Sequence, residues 1–86
     1  MKKYFVKISH NSDKRGYNRT VSVYTQNKDG SFSFIAENDK INTASYRGDS
    51  AEANQILHDN FGYKWAEKGN THYYLLSKNV KLIFLP

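Results

Sequence analysis

The chain has 86 residues, 13 Lys and Arg against 8 Asp and Glu for a net charge of +5, and 13 aromatics of which seven are Tyr. So short a chain supports one hydrophobic core, residues 1–86 as a single domain, with little interior to spare for a deep active-site cavity. No Cys is present, which excludes disulfides and thiolate metal sites and fits a reducing cytosol, and no apolar run reaches the roughly 18–20 residues of a membrane-spanning helix.

Residues 4–9, YFVKIS, set Tyr4, Val6 and Ile8 against Phe5, Lys7 and Ser9, the period of a β-strand. HNSDKRGYN then reads as a polar loop of turn-forming residues. RTVSVYTQ alternates again, with Val21 and Val23 on one face and Thr20, Ser22 and Tyr24 on the other. NKDG carries the Asp-Gly pair of a tight hairpin and leads into SFSFIAE, a strand with Phe32 and Phe34 on one side. KINTASYRG is expected as a short or edge strand.

DSAEANQILHDNFG is the one helix. Asp49 or Ser50 is expected as its N-cap, with Glu52 completing a capping box. Ala53, Ile56, Leu57 and Asn60/Phe61 form its apolar stripe, and Gly62 is its left-handed stop. YKWAE reads as a further strand. THYYLLS and VKLIFL then read as two strands of a hairpin around Lys78-Asn79, the last of them central because apolar residues fall on both its faces. The expected architecture is α+β, in the order β-β-β-(β)-α-β-β-β, with one helix packed on one face of an antiparallel sheet of five to six strands.

One three-turn helix cannot roof both faces of such a sheet. Either the sheet curls on itself or part of its second face stays open, and Tyr24, Tyr46, Tyr74 and Phe5 are the rings expected there. Charge has its own place: residues 1–19 hold six basic residues against Asp13 alone, while the rest of the chain balances. Within that stretch Lys14, Arg15, Tyr17 and Arg19 form a basic, aromatic loop suited to an acidic protein surface or to phosphates. His10, His58 and His72 lie in three separate elements without metal-ligand spacing. The eight acids are scattered at turns and at the helix start, and no nucleophile elbow or phosphate loop is present. His58 and Asp59, neighbours on a helix, are expected to point apart. These features weigh against an enzyme and imply no cofactor.

The closing stretch HYYLLSKNVKLIFLP, with the few-strand, one-helix layout, resembles small phage-encoded anti-CRISPR proteins that inhibit type I systems. The resemblance implies a non-enzymatic inhibitor that docks on a CRISPR-Cas subunit or nuclease in the cytoplasm of the host cell. It carries over no site residue, and the basic balance departs from the acidic members that mimic DNA. The expectation is therefore a small protein-binding domain that inhibits or modulates a larger partner, with Lys14, Arg15, Tyr17 and Arg19 steering and Tyr24, Tyr46 and Tyr74 making contact. A nucleic-acid-binding module using the residue 12–19 loop is the alternative, and a homodimer through the open face a third reading.

Overall fold

A computed structural model of the protein describes residues 1–13, 16–41, 48–69 and 72–86, and for residues 11–13, 16, 17, 40 and 41 the backbone alone. The elements are β1 (Lys2–Asp13), β2 (Gly16–Gln26), β3 (Phe32–Ile41), α1 (Asp49–Phe61), β4 (Trp65–Lys68), β5 (His72–Leu75) and β6 (Val80–Phe84). The fold is α+β. Its strands divide into two sheets instead of forming one: a four-stranded sheet in the order β3-β2-β1-β6 and a two-stranded sheet of β4 and β5. The larger sheet is mixed, since β6 runs parallel to β1 while the other pairings are antiparallel. Of the strand expected in KINTASYRG, residues 40–48, Lys40 and Ile41 are the end of β3 and Gly48 precedes the helix, while residues 42–47 lie outside the described residues.

Of the polar segment after Ser9, residues 10–13 and 16–18 are strand and not loop. β1 continues through Asp13 and β2 begins at Gly16, with Asp13 opposite Gly16 and Ser12 opposite Tyr17. Cross-strand pairing of polar residues carries this hairpin well past its apolar part, and a strand of 12 residues spans about 40 Å. The β2–β3 connection closes on Gly30, which adopts φ +92°, a conformation strained for any residue with a Cβ. The Asp29 carboxylate accepts from both the backbone N–H and the hydroxyl of Ser31, at 2.9 and 2.6 Å. Those bonds hold its pKa below the usual carboxylate value.

β3 contains a bulge. Val23 pairs with Ala36 but Tyr24 pairs with Phe34, so Ile35 is an extra residue on the β3 side. The bulge reverses the strand's parity. Beyond it Ala36 and Asn38 face the helix, whereas before it Phe32 and Phe34 turn to the opposite side.

α1 starts at Gly48 as N-cap and has no side-chain cap bond, so the expected Asp49/Ser50 cap and capping box do not form. Asp49 instead pairs with Arg19, and Glu52 is buried and accepts from Asn38 Nδ2 at 3.4 Å. Both acids still sit in the first turn, where the helix dipole favours negative charge. Gly62 ends the helix in the left-handed conformation, φ +77°, donating its N–H to the His58 carbonyl. Ala53, Ile56 and Leu57 are buried as the stripe requires, but Asn60 and Phe61 are exposed.

The closing segment is not a hairpin. β5 pairs with β4, and β6 lies beside β1 at the edge of the main sheet instead of at its centre. The apolar residues on both faces of β6 have a different cause from central burial. Leu82 packs on the core side, and Ile83 stands opposite Phe5 on the far side. The core is Tyr4 and Val6 of β1, Val21 and Val23 of β2, and Ala53, Ile56 and Leu57 of α1, flanked by Ile8, Ile35, Ala36, Tyr63, Leu75, Val80 and Leu82. Burial and the hydroxyl–hydroxyl contact with Tyr63 (3.3 Å) push the Tyr4 phenol well above its ordinary pKa.

Candidate partner-binding surface

All of that core lies on one side of the four-stranded sheet. The other side is set by the same alternation: Lys3, Phe5 and Lys7 of β1, Thr20, Ser22 and Tyr24 of β2, Lys81 and Ile83 of β6, and Phe32, Phe34, Glu37 and Asp39 of β3. No described helix or strand packs over it.

At one end of this face the rings form a continuous cluster. Phe5 meets Phe32 edge-on at 5.2 Å between centroids, and Tyr24 meets Phe34 at 5.7 Å and Phe32 at 6.3 Å, again edge-to-face. Such geometry is favourable between ring quadrupoles, so the rings hold one another in place without a cover. Phe32 and Phe34 nevertheless remain 45% and 57% exposed. Beside them stand the exposed ammonium groups of Lys3, Lys7 and Lys81, and a depression of about 340 Å³, lined by Met1, Lys2, Lys3, Phe5, Thr25 and Gln26, adjoins Phe5. Toward the other end the face turns polar. Thr20 Oγ1 donates to Asp39 (2.6 Å) and Ser22 Oγ to Glu37 (3.1 Å), each across a register pair. The face thus carries an aromatic cluster at one end with the cations of β1 and β6 beside it, and the carboxylates of β3 toward the other end.

Of the described residues expected on the open face or at a partner, Phe5 and Tyr24 lie in this cluster. Tyr74 is exposed but sits on the separate β4–β5 sheet, stacked on His72 at 5.3 Å. Arg19 is a β2 residue on the helix side, with Nη1 3.2 Å from Asp49 Oδ1, so it is tied to α1 and is not a loop cation free to steer. Tyr17 is a strand residue opposite Ser12 whose side chain is not described. Lys14, Arg15 and Tyr46 lie outside the described residues. Among the described residues, the structure brings neither Arg19 nor Tyr74 to Tyr24. It assembles Phe5 and Tyr24 with Phe32 and Phe34, the two phenylalanines that the sequence placed on a common side without saying which side that was.

Elsewhere, His58 Nδ1 lies 3.5 Å from Asp59 Oδ1, closer than neighbours on a helix were expected to come, with both side chains more than half exposed. Among the described residues no three His, Asp or Glu come together as a metal site, and no helix is long and apolar enough to cross a membrane. Comparison with family models, with curated proteins and with solved structures gives no match to this chain.

Proposed function

We propose that the chain is a small, non-enzymatic binding protein that docks on a larger protein through the open face of its four-stranded sheet and thereby inhibits or modulates it. The observation that carries this reading is the aromatic cluster: Phe32 and Phe34, 45% and 57% exposed, braced by Phe5 and Tyr24 on a face that no described element covers. A large apolar patch rimmed by charge is the usual composition of an interface centre. Pre-ordered aromatic rings are also the side chains that most often dominate binding energy. The lysines of β1 and β6 favour an acidic surface beside the apolar contact. Assignment of the partner to a CRISPR-Cas subunit or nuclease, in a host cytoplasm, is supported by the C-terminal resemblance alone.

A second reading uses the same face. Lys3, Lys7 and Lys81 beside Phe5 and Tyr24 combine cations with stackable rings, the pairing that single-stranded nucleic acids use. Two measurements separate the readings. In the first, wild type and Phe34→Lys serve as parallel baits at matched melting temperature, and a partner retained by wild type but absent from the variant supports protein docking. Equal recovery on both baits overturns it. In the second, a fluorescent single-stranded oligonucleotide is titrated at two salt concentrations, and tight binding that weakens steeply with salt favours the nucleic-acid reading. Sedimentation of the purified chain tests the homodimer: a dimer that Phe34→Lys dissociates makes a second copy the occupant.

A further inference from the structure

On the helix side of the sheet, away from the aromatic cluster, α1, β5 and β6 border a cleft of about 280 Å³. Ser50 and Asn54 of α1, Tyr73 and Leu75 of β5, and Leu82 and Phe84 of β6 all line it. Asn54 is 1% exposed, yet neither Nδ2 nor Oδ1 of its amide has a hydrogen-bond partner. A buried amide left unsatisfied is costly, and natural proteins leave few of them. Leucine would fill nearly the same volume at no such cost. The amide thus has bonding capacity to spare and no structural use for it.

The walls of the cleft carry unspent capacity too. Among the described residues β6 is bonded to β1 alone and β5 to β4 alone, so each presents an outer edge without a partner strand. Leu76–Asn79 joins the two strands in sequence without pairing them. A free strand edge offers alternating N–H and C=O groups to an extended chain, and such a chain projects every second side chain to the same face. On the helix side of β6 that face is the cleft. A planar group with paired donors and an acceptor is best matched by another carboxamide.

We propose that this cleft takes an extended peptide that adds along the free edge of β6 and inserts an Asn or Gln side chain, whose carboxamide pairs with that of Asn54. Tyr73, Leu75, Leu82 and Phe84 enclose the methylenes of the inserted side chain. The site lies on the opposite side of the sheet from the aromatic cluster, shares Lys81 of the edge strand β6 with the open face, and does not depend on the rings.

The test is NMR on the ¹⁵N-labelled chain, titrated with acetyl-Val-Gln-Val-amide, with acetyl-Val-Glu-Val-amide and with adenosine, each to about 10 mM, since a short strand is expected to bind only weakly. The glutamine peptide is expected to move the Asn54 side-chain NH₂ signals and the backbone amides of residues 80–84 saturably. The glutamate peptide is expected to bind at least about tenfold more weakly, because a carboxylate cannot donate to Oδ1. Asn54→Leu is expected to abolish the glutamine-peptide shifts while raising the melting temperature by about 4–8 °C, the signature of a polar group kept for binding at the expense of stability. If Asn54→Leu does not fold, Asn54→Ser, which removes the amide and keeps a small polar group, must abolish the same shifts. Equal binding of the two peptides, retained binding by the variants, or no shift at the highest concentration overturns the proposal. A response to adenosine without one to the glutamine peptide would assign the cleft to a nucleobase edge. Because Phe34 is not part of this readout, failure here leaves the sheet-face reading standing, and the converse holds.

Discussion

The two faces of the four-stranded sheet are built from the same strands by the same alternation, yet they end in opposite states. On the helix side Val6, Val21 and Val23 are fully buried beneath Ala53, Ile56 and Leu57. On the other side Phe32 and Phe34 keep about half their surface. Width explains the asymmetry. Four strands spaced about 4.8 Å apart make a layer wider than one helix of about 10 Å diameter. α1 covers β2 and β3, and Tyr63 and Leu75, from the β4–β5 region, complete the cover on the same side. Every described covering element lies on that one face. Burial on the covered face holds the domain together, and the face that no described element covers is left with rings that brace one another.

The largest effect expected from this contrast is on stability. Leu57→Ala, at a fully buried position against the sheet, should cost about 2–5 kcal/mol, most of the margin of so small a domain, and denaturant melts would show it directly. Phe34→Ala removes a larger side chain but from the open face, and should change stability by less than about 1 kcal/mol. Its effect belongs to binding, where loss of a central ring should cost about 2 kcal/mol, roughly a thirtyfold weaker dissociation constant by calorimetry. A Phe34→Ala chain that melts as badly as Leu57→Ala would show that the cluster is core, not contact surface.

Which face each residue would occupy was legible in some strands and not in others, for identifiable reasons. β1 and the apolar half of β2 read correctly because strict alternation with Val, Ile and Tyr on one side leaves a single solution. In β3 the same logic fails at Ile35. Continuing the alternation from Glu37 and Asp39, which bond Ser22 and Thr20 on the open side, would bury Phe32 and Phe34 under the helix, and only the bulge reverses them. A bulge leaves no mark in composition. The C-terminal run misled differently. Apolar residues on both faces of VKLIFL look like a central strand, but at an edge the same pattern arises when one face packs on the core and the other joins an open cluster. The helix was read well in extent and in its Gly62 stop. Its cap was not, because Asp49 and Glu52 are drawn to Arg19 and Asn38, partners 30 and 14 residues away in sequence.

A smaller effect sharpens the buried side of the comparison. The Tyr4 phenol has its pKa raised by burial and by the Tyr63 hydroxyl, so the folded state favours the protonated form. A raised folded-state pKa contributes stability that is complete below the unfolded value near 10 and is lost as pH climbs toward the folded value. Wild type should therefore lose stability progressively above about pH 10, and Tyr4→Phe should flatten that limb while costing about 1 kcal/mol at neutral pH for the lost hydroxyl contact. Stability curves at pH 7 and pH 11 for the two chains measure both. An alkaline limb unchanged in Tyr4→Phe would mean that other tyrosines carry it.

The smallest expected effect falls on Arg19, where the sequence and the structure differ most about what a residue is for. As a loop cation it would steer a partner, and its removal would slow association while leaving stability untouched. Placed on the helix side with Nη1 3.2 Å from Asp49, both side chains about 30% exposed, it forms a partly solvated ion pair that joins β2 to the first turn of α1. Solvent screening keeps such a pair weak, so Arg19→Ala should cost roughly 0.2–1 kcal/mol of stability, and Asp49→Ala should add little once Arg19 is gone. A double-mutant cycle by denaturant melts gives the coupling, and stopped-flow association with a captured partner gives the alternative. No coupling, together with a several-fold drop in association rate, would return Arg19 to the binding surface and move that surface from the aromatic face toward the end of the β1–β2 hairpin.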